Sequence, residues 1–250
     1  MKTTFTNRLK TIGFRSMILM TALSLFMSSC KKEDDNNDIN NNNSSSIQLG
    51  DGTLVAVRSE TIQTTPIGDI TITIGTGVAA FSGNDNYSAL VDAGAVKIND
   101  EAMSKQSNNS YVFMPGAAMP TGIDFSGGVN WSVAGNTSSG VPAFEHTVTG
   151  GFPNAGNITS SDQVSKSGYT LTISNISNAD TVYFLINDVV KAFAGSTTTA
   201  TFSADELSGL TKGQGIVTVA PWRFTTAQYG GKNFYFVNET VKQKSVTITD

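Results

Sequence analysis

From Ile47 onward the chain alternates apolar and polar residues with a period of two, the pattern of strands that bury one face. Ile70, Ile72 and Ile74 oppose Thr71 and Thr73; Tyr169, Leu171 and Ile173 oppose Thr170 and Thr172; Val246 and Ile248 oppose Thr247 and Thr249. These predict half-buried antiparallel strands. Val182 to Ile186 (VYFLI) is apolar on both faces and predicts a central strand, and Ile216 to Ala220 and Phe234 to Val237 read alike. Asn99-Asp100, Asn108-Asn109, Asn187-Asp188 and Gly230-Gly231 lie between such runs, and these residue types tolerate the positive φ of short hairpin turns. One helical turn is expected at Ser203 to Leu210 (SADELSGL), where Ser203 and Glu206 have the spacing of a capping box. The expectation is an all-β antiparallel sandwich.

Glycine, proline and asparagine crowd together in Thr149 to Asn157 (TGGFPNAGN), after a run ending near Val148. A boundary there divides the body into residues 47–148 and 149–250. Each half has about the length of an immunoglobulin-like sandwich, so the body resembles tandem immunoglobulin-like β-sandwiches. A single extended sandwich is the alternative.

Residues 1–46 have a different texture. Lys2, Arg8, Lys10 and Arg15 precede an apolar run, Ser16 to Met27 (SMILMTALSLFM), which is too short to span a bilayer and has the layout of a secretory signal, residues 1–29. Met27-Ser28-Ser29-Cys30 then resembles a bacterial lipobox, with Met in place of the usual Leu three residues before the cysteine. The resemblance implies that Cys30 is lipidated through its thiol and becomes the mature N-terminus. Lys31, Lys32, Glu33, Asp34 and Asp35 resemble the lipoprotein export signal of Bacteroidota, which implies display on the outer face of the outer membrane. One acyl chain anchors only marginally, and two or three hold a protein essentially permanently. Asn36 to Ser46 has no apolar period and is expected to stay disordered. As a coil, Lys31 to Ser46 spans on the order of 20 to 25 Å.

Loss of residues 1–29 leaves 12 basic residues against 20 acidic ones, a net charge of −8. Nucleic acid needs clustered Lys and Arg, which the body lacks, so it is not an expected partner. Cys30 is the only cysteine. The body therefore has no intramolecular disulfide, cysteine nucleophile or thiolate metal site.

Candidate chemistry is sparse. His146, the only histidine, lies in an alternating run (AFEHTV) without a serine elbow or further zinc ligands, and reads as an ordinary strand residue. Asn84-Asp85-Asn86, with Asp92, is rich in oxygen ligands but lacks the spaced acids of an EF-hand. Asp69, Asp92, Asp100, Asp124, Asp162, Asp180, Asp188, Asp205, Glu206 and Glu239 offer many carboxylate pairs and no ranking. Asp180-Thr181-Val182 resembles the Bacteroidota O-glycosylation pattern. Trp131, Trp222, Tyr229 and Tyr235 are candidate ligand contacts, since an aromatic face presented on a sandwich stacks on a sugar ring. No catalytic residue, cofactor or metal is expected. The reading is a non-enzymatic outer-membrane lipoprotein that binds a glycan or a neighbouring surface protein. Its rivals are an assembly partner of an outer-membrane transporter complex and a carboxylate-based surface hydrolase.

Overall fold

The computed structural model of the chain describes residues 50–65, 68–83, 87 and 89–250. The signal-like segment, Cys30, Lys31 to Asp35, the Asn/Ser linker and Asn84-Asp85-Asn86 lie outside the described residues.

The described chain is nearly all β. In order come β1 (Gly52–Thr65), β2 (Gly68–Phe81), β3 (Val96–Ile98), β4 (Glu101–Ala102), β5 (Ser104–Lys105) and β6 (Tyr111–Phe113). Then follow β7 (Val129–Val133), β8 (Phe144–Val148), β9 (Asn154–Ala155), β10 (Gln163–Ser165), β11 (Gly168–Thr172) and β12 (Ile176–Ser177). The last are β13 (Thr181–Ile186), β14 (Val189–Ala194), β15 (Thr199–Ser203), helix α1 (Ala204–Leu207), β16 (Gly213–Tyr229) and β17 (Lys232–Thr249).

One long sheet organises them, in the order β14-β13-β16-β17-β1-β2-β6-β5, with β10 also joined to β17. Its pairs are antiparallel except at β17, where β1 and β10 run parallel to it. β1 pairs with Phe234 to Lys242 and β10 with Thr247 to Thr249, so two distant segments serve different stretches of β17. The sheet β4-β3-β7-β8 and the pairs β11-β15 and β9-β12 form smaller second layers.

Local chemistry explains the connections. Gly230 and Gly231 take φ of 56° and 77° between β16 and β17, and Asn99 and Asp100 take 46° and 65° between β3 and β4. Such paired left-handed residues match the twist of a tight hairpin. Ser203 caps α1: its backbone N–H donates to Glu206 Oε2 at 2.8 Å and its hydroxyl accepts from the Glu206 N–H at 3.4 Å, the capping box expected from the sequence.

Two cores lie on the same face of the long sheet. Leu54, Phe81, Phe234 and Phe236 meet Ile98, Trp131 and Phe144 of the four-stranded sheet in the first. Phe184, Ile186, Val219 and Ile248 meet Leu171, Phe202 and Leu207 in the second. Residues before Val148 do not close the first core alone, because Phe234 and Phe236 from β17 are part of it. The hairpin β16-β17 therefore runs through both sandwich layers.

Ile70, Ile72 and Ile74 differ from expectation. Ile70 is 47 % exposed, and none of the three belongs to a core. The physical reason is topological: β17 accompanies β1 only as far as Glu60, and β6 meets β2 only at Gly77 to Ala79.

Candidate functional site

Alternation decides which side chains the two cores use. Even-numbered residues of β17 face the cores, as Phe234, Phe236, Val246 and Ile248 show. The odd-numbered ones point to the opposite, second face. Ladder register extends that face across the sheet: Val237 pairs with Val55 and Phe224, Glu239 with Val57 and Trp222, and Val78 with Val55 and Val112.

The second face is as apolar as an interior. Eleven buried apolar residues belong to neither core: Val55, Val57, Val78, Ala80, Val112, Tyr183, Leu185, Ala220, Trp222, Val237 and Val241. All eleven fall on this one face by ladder register. The buried apolar side chains of the smaller sheets and of α1, by contrast, all belong to the two cores. Among the described residues, no second layer is assigned to this face. Tyr87 reaches its rim, where its hydroxyl lies 3.1 Å from Thr53 Oγ1.

Glu239 stands in the middle of this surface. It shows no exposed area, and neither carboxylate oxygen has a hydrogen-bond partner among the described residues. Its cross-strand neighbour Trp222 is 3 % exposed with an unpartnered indole Nε1, and the Tyr183 ring packs on that indole at 4.8 Å between centroids. Burial pushes the Glu239 carboxyl up to about 7, against the opposing pull of the nearby Trp222 N–H. Tyr183 is raised as well, chiefly by burial and then by the charge of Glu239. Ladder register places no Lys, Arg or other carboxylate among the described side chains of this face. Phe224, 41 % exposed, and the half-buried Tyr235 continue the aromatic row, with ring centroids 6.0 Å apart.

Backbone chemistry loosens the sheet beside Glu239. Pro221 has no N–H to give, and the register of β16 with β17 skips Ala220 and Pro221 opposite Thr240 and Val241. A proline in a central strand is tolerated here because β13 pairs with it from the other side, Val182 opposite Pro221.

The aromatic candidates separate into two groups. Trp131 is 1 % exposed inside the first core, opposite His146 on β8, so it is a packing residue with no face for a sugar. Tyr229 packs against the same core, stacked on Phe144 at 4.5 Å, and its hydroxyl lies 2.9 Å from His146 Nδ1. Trp222 and Tyr235 belong to the second face. His146 is stacked on Phe236 at 3.7 Å, and burial lowers its pKa. Thr181 of the glycosylation-like tripeptide is 4 % exposed within β13, where its hydroxyl is closed to modification, while Asp180 accepts the Phe224 N–H at 3.0 Å.

Several other carboxylates hold structure. Asp92 accepts from Lys105 Nζ and the Tyr111 hydroxyl, both at 2.8 Å, and from the Gly94 N–H at 2.9 Å. Glu60 pairs with Arg58 and Lys242, Asp51 with Lys232, and Glu206 with Lys191. Among the described residues, no group of three or more His, Cys, Asp or Glu is placed to hold a metal. No helix among them is long and apolar enough to cross a membrane.

Compared with known proteins, the chain matches no family model, no curated protein and no solved structure.

Sequence reasoning named Glu239 without ranking it, and passed over Tyr183 and Phe224. A usable signal existed: Glu239 is an acid within the otherwise strand-forming run Phe234 to Val241 (FYFVNETV).

Proposed function

We propose that this protein is a non-enzymatic, lipid-anchored lipoprotein of the bacterial outer surface that binds a neighbouring surface protein through the second face of its long sheet. The anchor and address rest on the lipobox-like Met27 to Cys30 and the acidic run after it. The binding role rests on one observation: by ladder register the second face carries the exposed apolar side chains Ile70, Val190 and Phe224. The body keeps the immunoglobulin-like reading as a proposal about its two sandwich layers.

The test is co-purification from gently solubilised membranes. Wild type should bring down one stoichiometric partner, and Phe224→Glu, which charges an exposed position of the second face, should lose it. Recovery of the wild type only as a free monomer counts against the reading. Cys30→Ala should release the protein from the membrane.

A glycan remains the second reading, favoured by the exposed Phe224 beside Tyr235. Binding of the body to a polysaccharide panel, lost in Phe224→Ala, would support it.

A further inference from the structure

The far end of the β1-β2 hairpin leaves the rest of the long sheet. β17 accompanies β1 only as far as Glu60 and β6 meets β2 only at Gly77 to Ala79, whereas β1 and β2 stay paired out to Thr65 and Gly68. The outer edge of β2 is engaged once more at Gly75, whose N–H donates to Thr121 O at 2.9 Å and whose carbonyl accepts the Ile123 N–H at 3.1 Å. Before Gly75, no described residue pairs with that edge. Backbone groups alternate in direction along an antiparallel strand, so Thr73 and Thr71 turn their N–H and C=O the same way as Gly75, onto the open edge.

The side chains there are open as well. Ile70 is 47 % exposed, Thr71 and Thr73 are exposed, and Ile72 and Ile74 are half-buried. A strand edge left free is normally blunted by lysine, proline or a bulge. Gly68 to Gly75 (GDITITIG) contains no Lys, Arg or Pro, and its register with β1 runs without a bulge.

The segment itself selects an occupant. An edge that pairs antiparallel with an identical edge does so about a two-fold axis. Gly75 is already engaged and β2 begins at Gly68, which centres the free stretch on Thr71. An axis there sets Thr71 against Thr71 of the second copy as a hydrogen-bonded pair, Thr73 against Asp69, and Ile70 against Ile72. No like charges oppose each other, and the β-branched side chains meet in favourable cross-strand pairs. Centring on Ile72 instead would set Asp69 against Gly75, whose edge Thr121 and Ile123 occupy. Pairing through β1 would leave the isoleucines on the outer strands, out of contact.

We propose that two copies of this chain pair through the free edge of β2, antiparallel about a two-fold axis at Thr71, so that their hairpins form one continuous arm with Ile70 and Ile72 of each copy in contact. This goes beyond the docking reading: Val190 and Phe224 lie on β14 and β16 and stay available to a different protein.

The experiment uses the full-length chain carrying Thr71→Cys, oxidised on living cells with copper phenanthroline and resolved on a non-reducing gel. Wild type, whose one cysteine is Cys30, gives the background. The Cα atoms of a hydrogen-bonded pair lie about 5.5 Å apart, within reach of a disulfide. In the same register the two copies of Thr73 lie about 14 Å apart along the strand, beyond reach. The expected result is a reducible band of twice the chain mass, containing peptides of this chain alone, about tenfold or more stronger than from Thr73→Cys. Adding Ile70→Lys, which brings two ammonium groups together beside the axis, should remove it. Both substituted positions are exposed, and circular dichroism checks that each variant folds. Should Thr71→Cys fail to fold, p-benzoylphenylalanine at Ile70 takes its place and a light-induced self-adduct is the expected band.

Equal bands from Thr71→Cys and Thr73→Cys, no band above background, or a cross-link to a different polypeptide overturns the self-pairing. The docking reading is scored separately, by the partner lost in Phe224→Glu.

Discussion

Trp222 and Glu239 sit opposite each other on adjacent strands, and neither the indole N–H nor the carboxylate finds a hydrogen-bond partner among the described residues. Buried polar groups are almost always paired, and here the indole N–H lies close enough to pull the Glu239 pKa down without completing a hydrogen bond. Burial in the folded chain raises the Glu239 carboxyl from 4.5 to about 7. The sign follows from that direction. This contribution to folding stability is complete below pH 4.5, where the carboxyl is protonated whether folded or unfolded, and is lost as pH rises towards 7. Over that window the loss is about 3 kcal/mol. Glu239→Gln abolishes this dependence. Thermal denaturation of the purified body, wild type against Glu239→Gln at pH 5 and pH 8, measures it directly.

Asp92 and Tyr111 fasten the first core. The Tyr111 hydroxyl donates to Asp92 Oδ1 and accepts the Ala93 N–H at 2.9 Å, and the ring is 1 % exposed against Phe81. Tyr111→Phe leaves the buried Ala93 N–H without an acceptor and should cost about 1 to 3 kcal/mol in urea denaturation. Hydrogen bonds from Lys105, Tyr111 and Gly94 hold Asp92 down at about 2. Its contribution is therefore complete above the ordinary carboxylate range and disappears as pH falls from about 4 towards 2. An Asp92→Asn variant should match the acid behaviour of wild type there and be less stable at pH 6.

Gly75 is required by close approach. A Cβ at this position would lie 1.9 Å from the Ile123 carbonyl oxygen, which belongs to the crossing where the Gly75 N–H donates to Thr121 O at 2.9 Å. Gly75→Ala must push the Thr121–Ile123 segment away and should cost about 1 to 3 kcal/mol. Gly116→Ala, whose Cβ meets nothing within 4 Å, is the control and should leave the melting temperature unchanged.

Much of this architecture was legible in the sequence because its rules are local. The VYFLI run became the buried β13, paired on both sides by β14 and β16, and the Ser203–Glu206 spacing became a capped α1. What escaped was non-local. The strand predicted at Ile216 to Ala220 stops before Pro221, whereas β16 runs on to Tyr229, because the missing N–H removes only the rungs facing β17. The parallel pairing of β1 with β17 joins residues about 180 positions apart, and no period in either segment encodes it. For the same reason the second face was not foreseen. Trp222, Tyr183, Val57 and Glu239 come from four strands, and only register brings them together.

That shared register makes a last prediction about cooperativity. Phe236 is fully buried in the first core, while Val246 and Ile248 of the same strand lie in the second. Neither core keeps its central strand if β17 leaves the sheet. Phe236→Ala opens a cavity and should cost about 3 to 5 kcal/mol. Because β17 is continuous, the loss should lower the transition followed by a probe in the second core, such as a label at the exposed Thr201, as much as one in the first. The fragment 47–148 alone lacks Phe234 and Phe236, leaves one edge of β1 unpaired, and should show no cooperative melting. Differential scanning calorimetry of the body, Ile47 to Asp250, should give one transition. Two separable transitions, or a folded 47–148 fragment, would mean that each half carries its own stability and that the hairpin merely links them.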